Sequence, residues 1–209
     1  MSLVCEYCNS TIVRQGVDIK LIGQVSALID NGSPIVLGSR GRFKGTPFEV
    51  AGRLQVEHGR GSWNEWFVNF ADGNSGWLAD AMGQFAIVLP KNQQVVAGRV
   101  PPYADVSVNS TIVIDGIPAV VVDRRAATYK GAEGILPFEA APGMLFHGVD
   151  LRGHKGEFFS LDYGTDPNHN SPLPYIGQAI TLADVGLHPL RPFKGWRRPA
   201  PAGASAAQG

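Results

Sequence analysis

Charge is the scarcest resource in this chain. Only 17% of its 209 residues are Asp, Glu, Lys or Arg, against the usual quarter, and eighteen basic side chains balance eighteen acidic ones. A formal charge of zero gives no sign of wholesale binding to nucleic acid or to an anionic membrane surface. Cysteine is nearly absent too: Cys5 and Cys8 are the only two, three positions apart, so no disulfide framework supplies the stability. No apolar run approaches the roughly 20 residues of a membrane-spanning helix. The opening "MSLVCEYCNS" lacks the basic and apolar regions of a secretory signal. These absences together predict a cytoplasmic protein with no membrane span. Enzyme signatures are missing as well, with no G-x-S-x-G elbow, no phosphate-binding Walker loop and no dinucleotide fingerprint.

What the chain has is glycine and proline, 26 and 15 residues, which favours short strands joined by turns. The segment "FEVAGRLQV" (48–56) alternates with the period of two of a half-buried strand. Strand character continues in "EWFVNF", "QFAIVL", "QVVAGRV", "STIVIDG", "AVVVDRR", "MLFHGVDLRG" and "EFFSLDYG". Helix is expected only in "DIKLIGQVSALI" (18–29) and in "LADAMG" (78–83). The expected fold is mostly β: two related antiparallel units forming a sandwich or small barrels, with a short N-terminal cysteine knuckle and a disordered C-terminal tail. The boundaries that follow from composition are 1–20 for the knuckle and linker, 21–98 and 99–188 for the two β units, and 189–209 for a basic Pro/Ala/Gly tail. A faint repeat lays residues 65–88 on 157–182, matching Glu65 to Glu157 and Gly83-Gln84 to Gly177-Gln178.

The stretch Gly61–Phe85 carries three of the four tryptophans. In an extended strand Trp63, Glu65, Phe67 and Asn69 share one face, and Asn64, Trp66, Val68 and Phe70 the other, so the strand is expected to be covered on both sides. Glu65 between Trp63 and Phe67 would be desolvated, which raises a carboxyl pKa and makes an acid–base group. The competing role is structural, with the carboxylate held by Arg53, Arg60 or a turn. Glu157 is the matching candidate in the second unit. Neither has a catalytic partner at a recognisable spacing, which favours the structural role.

Three motifs in order carry a family resemblance. Gly41 to Arg53 reads G-x-F-x-G-x-x-F-x-V-x-G-R, Trp63-Asn64-Glu65-Trp66 is a W-N-E-W box, and Asp72-Gly73 opens D-G-x-x-G-W-L, which includes Trp77. The chain resembles the bacterial domain-of-unknown-function family DUF4178, and "DLRGHKGEFFSLDYG" with "PYIGQ" is similar to its second half. The resemblance implies a β-rich fold without an assigned activity. It also implies a protein-partner role beside membrane-stress proteins of the phage-shock type. The expected function is therefore a non-catalytic binding or adaptor protein, with an enzyme using Glu65 or Glu157 in a cleft between the units as the alternative.

Cys5-x-x-Cys8 has the form of one zinc-ribbon knuckle, which is half of a tetrahedral site. The resemblance implies an earlier C-x-x-C that this chain does not contain. Zinc would then need histidines from His58, His147, His154, His169 and His188, or a second chain in a homodimer; a redox dithiol and a metal-free turn remain open. "GSRGRFKG" (38–45) reads as a basic hairpin tip, and the Trp196-Arg197-Arg198 cluster as part of a solvated arm.

Overall fold

A computed structural model describes residues 2–4, 10–15, 18–24, 28, 30, 32–59, 61–96, 100–168 and 170–192, with only the backbone described up to residue 24. Cys5, Cys8, Arg60, His169 and the tail from residue 193 lie outside the described residues.

The chain is mostly β. In order the strands are β1 (Ser2–Val4), β2 (Ser10–Gln15), β3 (Asp18–Gln24), β4 (Arg40–Phe43), β5 (Thr46–His58), β6 (Gly61–Phe70), β7 (Ser75–Ala81), β8 (Gln84–Pro90), β9 (Thr111–Ile114), β10 (Ile117–Leu136), β11 (Leu145–Arg152), β12 (Glu157–Asp162) and β13 (Leu173–Ile180). Two four-stranded meanders follow one another along the chain, β5 to β8 and β10 to β13. They share one closed ring. β5 pairs antiparallel with β10 at one seam, from Gly52 opposite Gly134 to Glu57 opposite Thr128. β8 pairs antiparallel with β13 at the other, from Phe85 opposite Ile180 to Pro90 opposite Tyr175. Closure leaves none of the eight strands with a bare edge, the usual liability of an antiparallel sheet.

Closure at the second seam needs glycine. A Cβ on Gly177 would sit 1.7 Å from the Ile87 carbonyl oxygen, so no side chain fits there. Gly83, its partner in the sequence repeat, lies instead in the turn between β7 and β8, at φ +80°. Glu65 lies mid-strand and Glu157 opens β12, so the repeat does not hold residue for residue.

Both faces of the ring wall are covered, which explains why its strands carry large apolar groups at odd and even positions alike. Outside β5–β8, Val50, Trp66, Val68, Leu78 and Ile87 pack under Ile35, Leu182, Val185 and Leu187. Outside β10–β12, Val121, Val149, Leu151, Phe159 and Leu161 pack under Val96, Val100, Tyr103, Val106 and the β9 residues Ile112 and Ile114. Inside the ring stand Leu54, Val56, Phe67, Ala127 and Tyr129, with Trp63, Trp77 and Phe146 against them. Each cluster removes several large apolar side chains from water, the dominant favourable term in folding.

Three local expectations are corrected. Residues 18–24 form β3, not a helix, because they pair with β2 (Ile12 opposite Leu21) and contain β-branched Ile19 and Ile22 and the helix-weakening Gly23. "LADAMG" is the end of β7 and its turn: Leu78 and Asp80 are buried in the outer layer, Ala79 and Ala81 line the interior, and Met82 takes φ +51°. Here tertiary pairing overrides the helix propensity of Ala and Met. In "QVVAGRV" (94–100) Gln94 and Val95 belong to a 3₁₀ turn, Gln93–Val95, capped by the Asn92 side chain on the Gln94 N–H, and not to a strand; residues 97–99 lie outside the described residues.

Candidate functional site

Alternation sends one residue of every two from eight strands into the ring, and eight strands leave room for side chains plus one small ligand. That room exists. A cavity of about 460 Å³ opens at the end where the β5–β6 and β7–β8 hairpins turn. Its walls include Trp63, Ala79, Ala86, Phe85, Val122 and Phe158, with His58, Gln84 and Arg152 towards the mouth. A second cavity, of about 80 Å³, lies beyond it among Trp77, Tyr129, Phe138, Phe146 and Tyr175. Glu65 and Arg125 line both, and so form the partition between them.

Glu65 sits midway along β6, facing inward beside Trp63 and Phe67 as strand alternation requires. Its carboxylate Oε1 accepts the Trp63 indole N–H at 2.8 Å. Burial pushes its pKa up to about 7, a rise that the Arg125 charge and the Trp63 hydrogen bond only partly offset. Arg53, the sequence candidate for holding Glu65, lies on the outer face. There its Nε donates to Asn64 Oδ1 at 2.9 Å, its guanidinium reaches Glu133 at 3.3 Å, and its charge lies 5.2 Å from the centre of the Trp66 ring. Asn64 and Trp66 belong to that outer network, both donating to Asp80, which also accepts from Ser33. The W-N-E-W box therefore splits by parity: Trp63 and Glu65 line the cavity, while Asn64 and Trp66 build the outer core.

Arg125 is the cation of the partition. One of its terminal nitrogens reaches both Asp123 and Asp150 at 2.6 Å, and its charge lies 5.0 Å from the Trp63 ring centre. Burial alone would lower its pKa, but Asp150 and Asp123 reverse that and raise it, so it stays protonated. Its Nε and the Asp150 Oδ1 have no hydrogen-bond partner among the described residues. Burial likewise raises the pKa of Tyr129 and of Tyr175, so both phenols stay neutral.

The remaining candidates do not converge here. Glu157 is outside the lining of both cavities; its carboxylate accepts the Lys155 N–H at 2.7 Å in the β11–β12 turn, and these backbone bonds lower its pKa. Asp72 accepts the Asn74 N–H and Gly73 takes φ +87°, forming the β6–β7 turn; Trp77 points inward and packs on Phe67 at 5.3 Å. His58 donates from Nδ1 to the Ala126 carbonyl at 2.8 Å at the cavity mouth. His147 is buried against Tyr103, while His154 and His188 are exposed. Among the described residues no three His, Cys, Asp or Glu side chains are placed to hold a metal ion, and no helix is long and apolar enough to cross a membrane.

Arg125, Asp123 and Asp150 were not singled out by sequence reasoning. Their signal is the charged run Asp123-Arg124-Arg125 between the apolar stretches of β10, and charge at alternate positions, 150 and 152, on β11. Among known proteins, a family described as "Domain of unknown function (DUF4178)" matches residues 36–181, which take in the whole ring. No curated protein and no solved structure matches the chain.

Proposed function

The chain belongs to the DUF4178 family, whose description assigns no activity, so its role must be read from the site, and we propose a non-catalytic binding module that holds a small molecule inside the barrel. The observation that carries this is the 460 Å³ cavity, within the usual range for small-molecule sites and lined by aromatic and small side chains around one polar partition. An adaptor role follows if occupancy of the cavity controls contacts made with a protein partner. Placement beside membrane-stress proteins rests on the family resemblance alone. Zinc shared between the Cys5–Cys8 pairs of two chains is the corresponding mode of homodimerisation. The test of the cavity uses Nile red, a neutral dye whose emission rises in apolar surroundings. One dye per chain is expected, and Ala79→Phe, which fills the cavity from β7, is expected to abolish binding while the circular dichroism stays unchanged. Dye uptake indifferent to Ala79→Phe, or no uptake at all, would refute a ligand cavity.

One observation favours a second reading. A carboxyl with a pKa near 7 facing an open cavity is suited to proton transfer. An enzyme built on it would use Glu65 alone, since Glu157 stands outside the cavity. Turnover abolished by Glu65→Gln with ligand binding retained would establish that reading over the first.

A further inference from the structure

The partition fixes what can sit against it. Three carboxylates, Glu65, Asp123 and Asp150, and two guanidinium groups, Arg125 and Arg152, line the large cavity. Arg125 is already engaged by both aspartates. Arg152 is exposed, donates to Gln84 at 3.3 Å and lies over the Phe158 ring at 5.6 Å. An anionic head at the partition would thus meet three carboxylates and a cation with its charge spent. The group left to a ligand is the Glu65 carboxyl: one oxygen takes the Trp63 N–H, and its remaining acceptor capacity is turned to the cavity. A hydroxyl would make one ordinary hydrogen bond there. An ammonium would make a charge-assisted one beside the Trp63 face, with the aromatic walls taking its hydrocarbon.

Resting on the reading of the barrel as a ligand cavity, we propose that its occupant is an amphipathic primary amine, seated with its ammonium against Glu65 and its hydrocarbon against Trp63, Phe85 and Phe158. Binding then requires the ionised form of Glu65. The groups that bear on Glu65 are Arg125 and Tyr129 from β10, Asp150 from β11, Tyr175 from β13 and, through the wall, Asp80 from β7. His58 also faces the cavity, at its mouth, with Nδ1 donating to the Ala126 carbonyl. With a Glu65 pKa of about 7, the ionised fraction rises about tenfold between pH 6 and pH 8, and amine affinity rises with it.

The experiment titrates the full chain with n-octylamine, n-octanol and n-octanoate, followed by tryptophan fluorescence and calorimetry. The amine is expected to bind about tenfold or more tighter than the alcohol at pH 8, with octanoate weakest, and about tenfold more weakly at pH 6. In Glu65→Gln the amine preference and the pH dependence are expected to vanish. The wild-type series and its pH slope stand without the variant should that variant fold poorly. Octanol binding as tightly as octylamine, or octanoate tighter than both, would overturn the amine and leave the cavity reading intact. A pH dependence persisting in Glu65→Gln would assign it to another group and overturn the role of Glu65. Failure of all three probes to bind would overturn the amine and the cavity together.

Discussion

Replacing Glu65 by Gln tests what the buried carboxyl costs. Glu65 titrates at 4.5 when solvated and at about 7 in the fold. Between those values the folded chain holds a proton that the unfolded chain has released, so this group's contribution to stability falls as pH rises from 4.5 to 7 and is level above that. At about 1.4 kcal/mol per pH unit the full loss is about 3 kcal/mol. Water entering the cavity solvates part of the charge, which brings the expected penalty to about 1–3 kcal/mol. Glutamine keeps a carbonyl oxygen for the Trp63 N–H and carries no charge. Glu65→Gln is therefore expected to raise unfolding free energy by about 1–3 kcal/mol at pH 8 and to leave it nearly unchanged at pH 4. Urea titrations of both proteins across this range measure the difference directly. A variant less stable than wild type at pH 8 would mean that Arg125 pairs with an ionised Glu65, and that the carboxylate fixes the strands instead of straining them.

The other predictions concern the wall and the N-terminus. Asp150→Asn removes the better-buried partner of Arg125, 16% exposed against 52% for Asp123. It is expected to cost about 2–4 kcal/mol in chemical unfolding, and Asp123→Asn about 1 kcal/mol or less; equal losses would show that burial does not set the difference. Gly177→Ala drives a Cβ into the Ile87 carbonyl at the β8–β13 seam and is expected to cost more than about 3 kcal/mol or to prevent closure, read from the urea midpoint; a neutral effect would refute that close approach. Elemental analysis with solution mass is expected to find one zinc per two chains, lost together with the dimer on chelation or in Cys8→Ser; a metal-free chain whose mass ignores chelator would refute the shared site.

Much of the wall was legible because strand periodicity is local. The two faces of β6 follow from the order of Trp63 to Phe70 alone, and both are covered as that order requires. The turns are local as well: Asp72 and Asp162 each accept the N–H two residues on, closing their strands in the same way. Closure was not legible. That β5 meets β10 across more than seventy residues depends on twist and register, which no local pattern carries. The helix expected at 18–29 failed for the same reason, since pairing with β2 outweighs a weak local preference.

Parity also decides which part of the W-N-E-W box can take part in chemistry. On the outer face, Asp80 collects donors from Ser33, Asn64 and Trp66, with apolar packing around it. On the inner face, Arg125 Nε and Asp150 Oδ1 have no hydrogen-bond partner among the described residues, and Glu65 gives up its charge below about pH 7. Buried polar groups that a fold leaves unsatisfied are costly, and stable cores avoid them. On the inner face of β10 and β11 that cost falls where the wall opens onto a cavity. It marks the inner face as the working surface, and the outer network as the frame that holds it still.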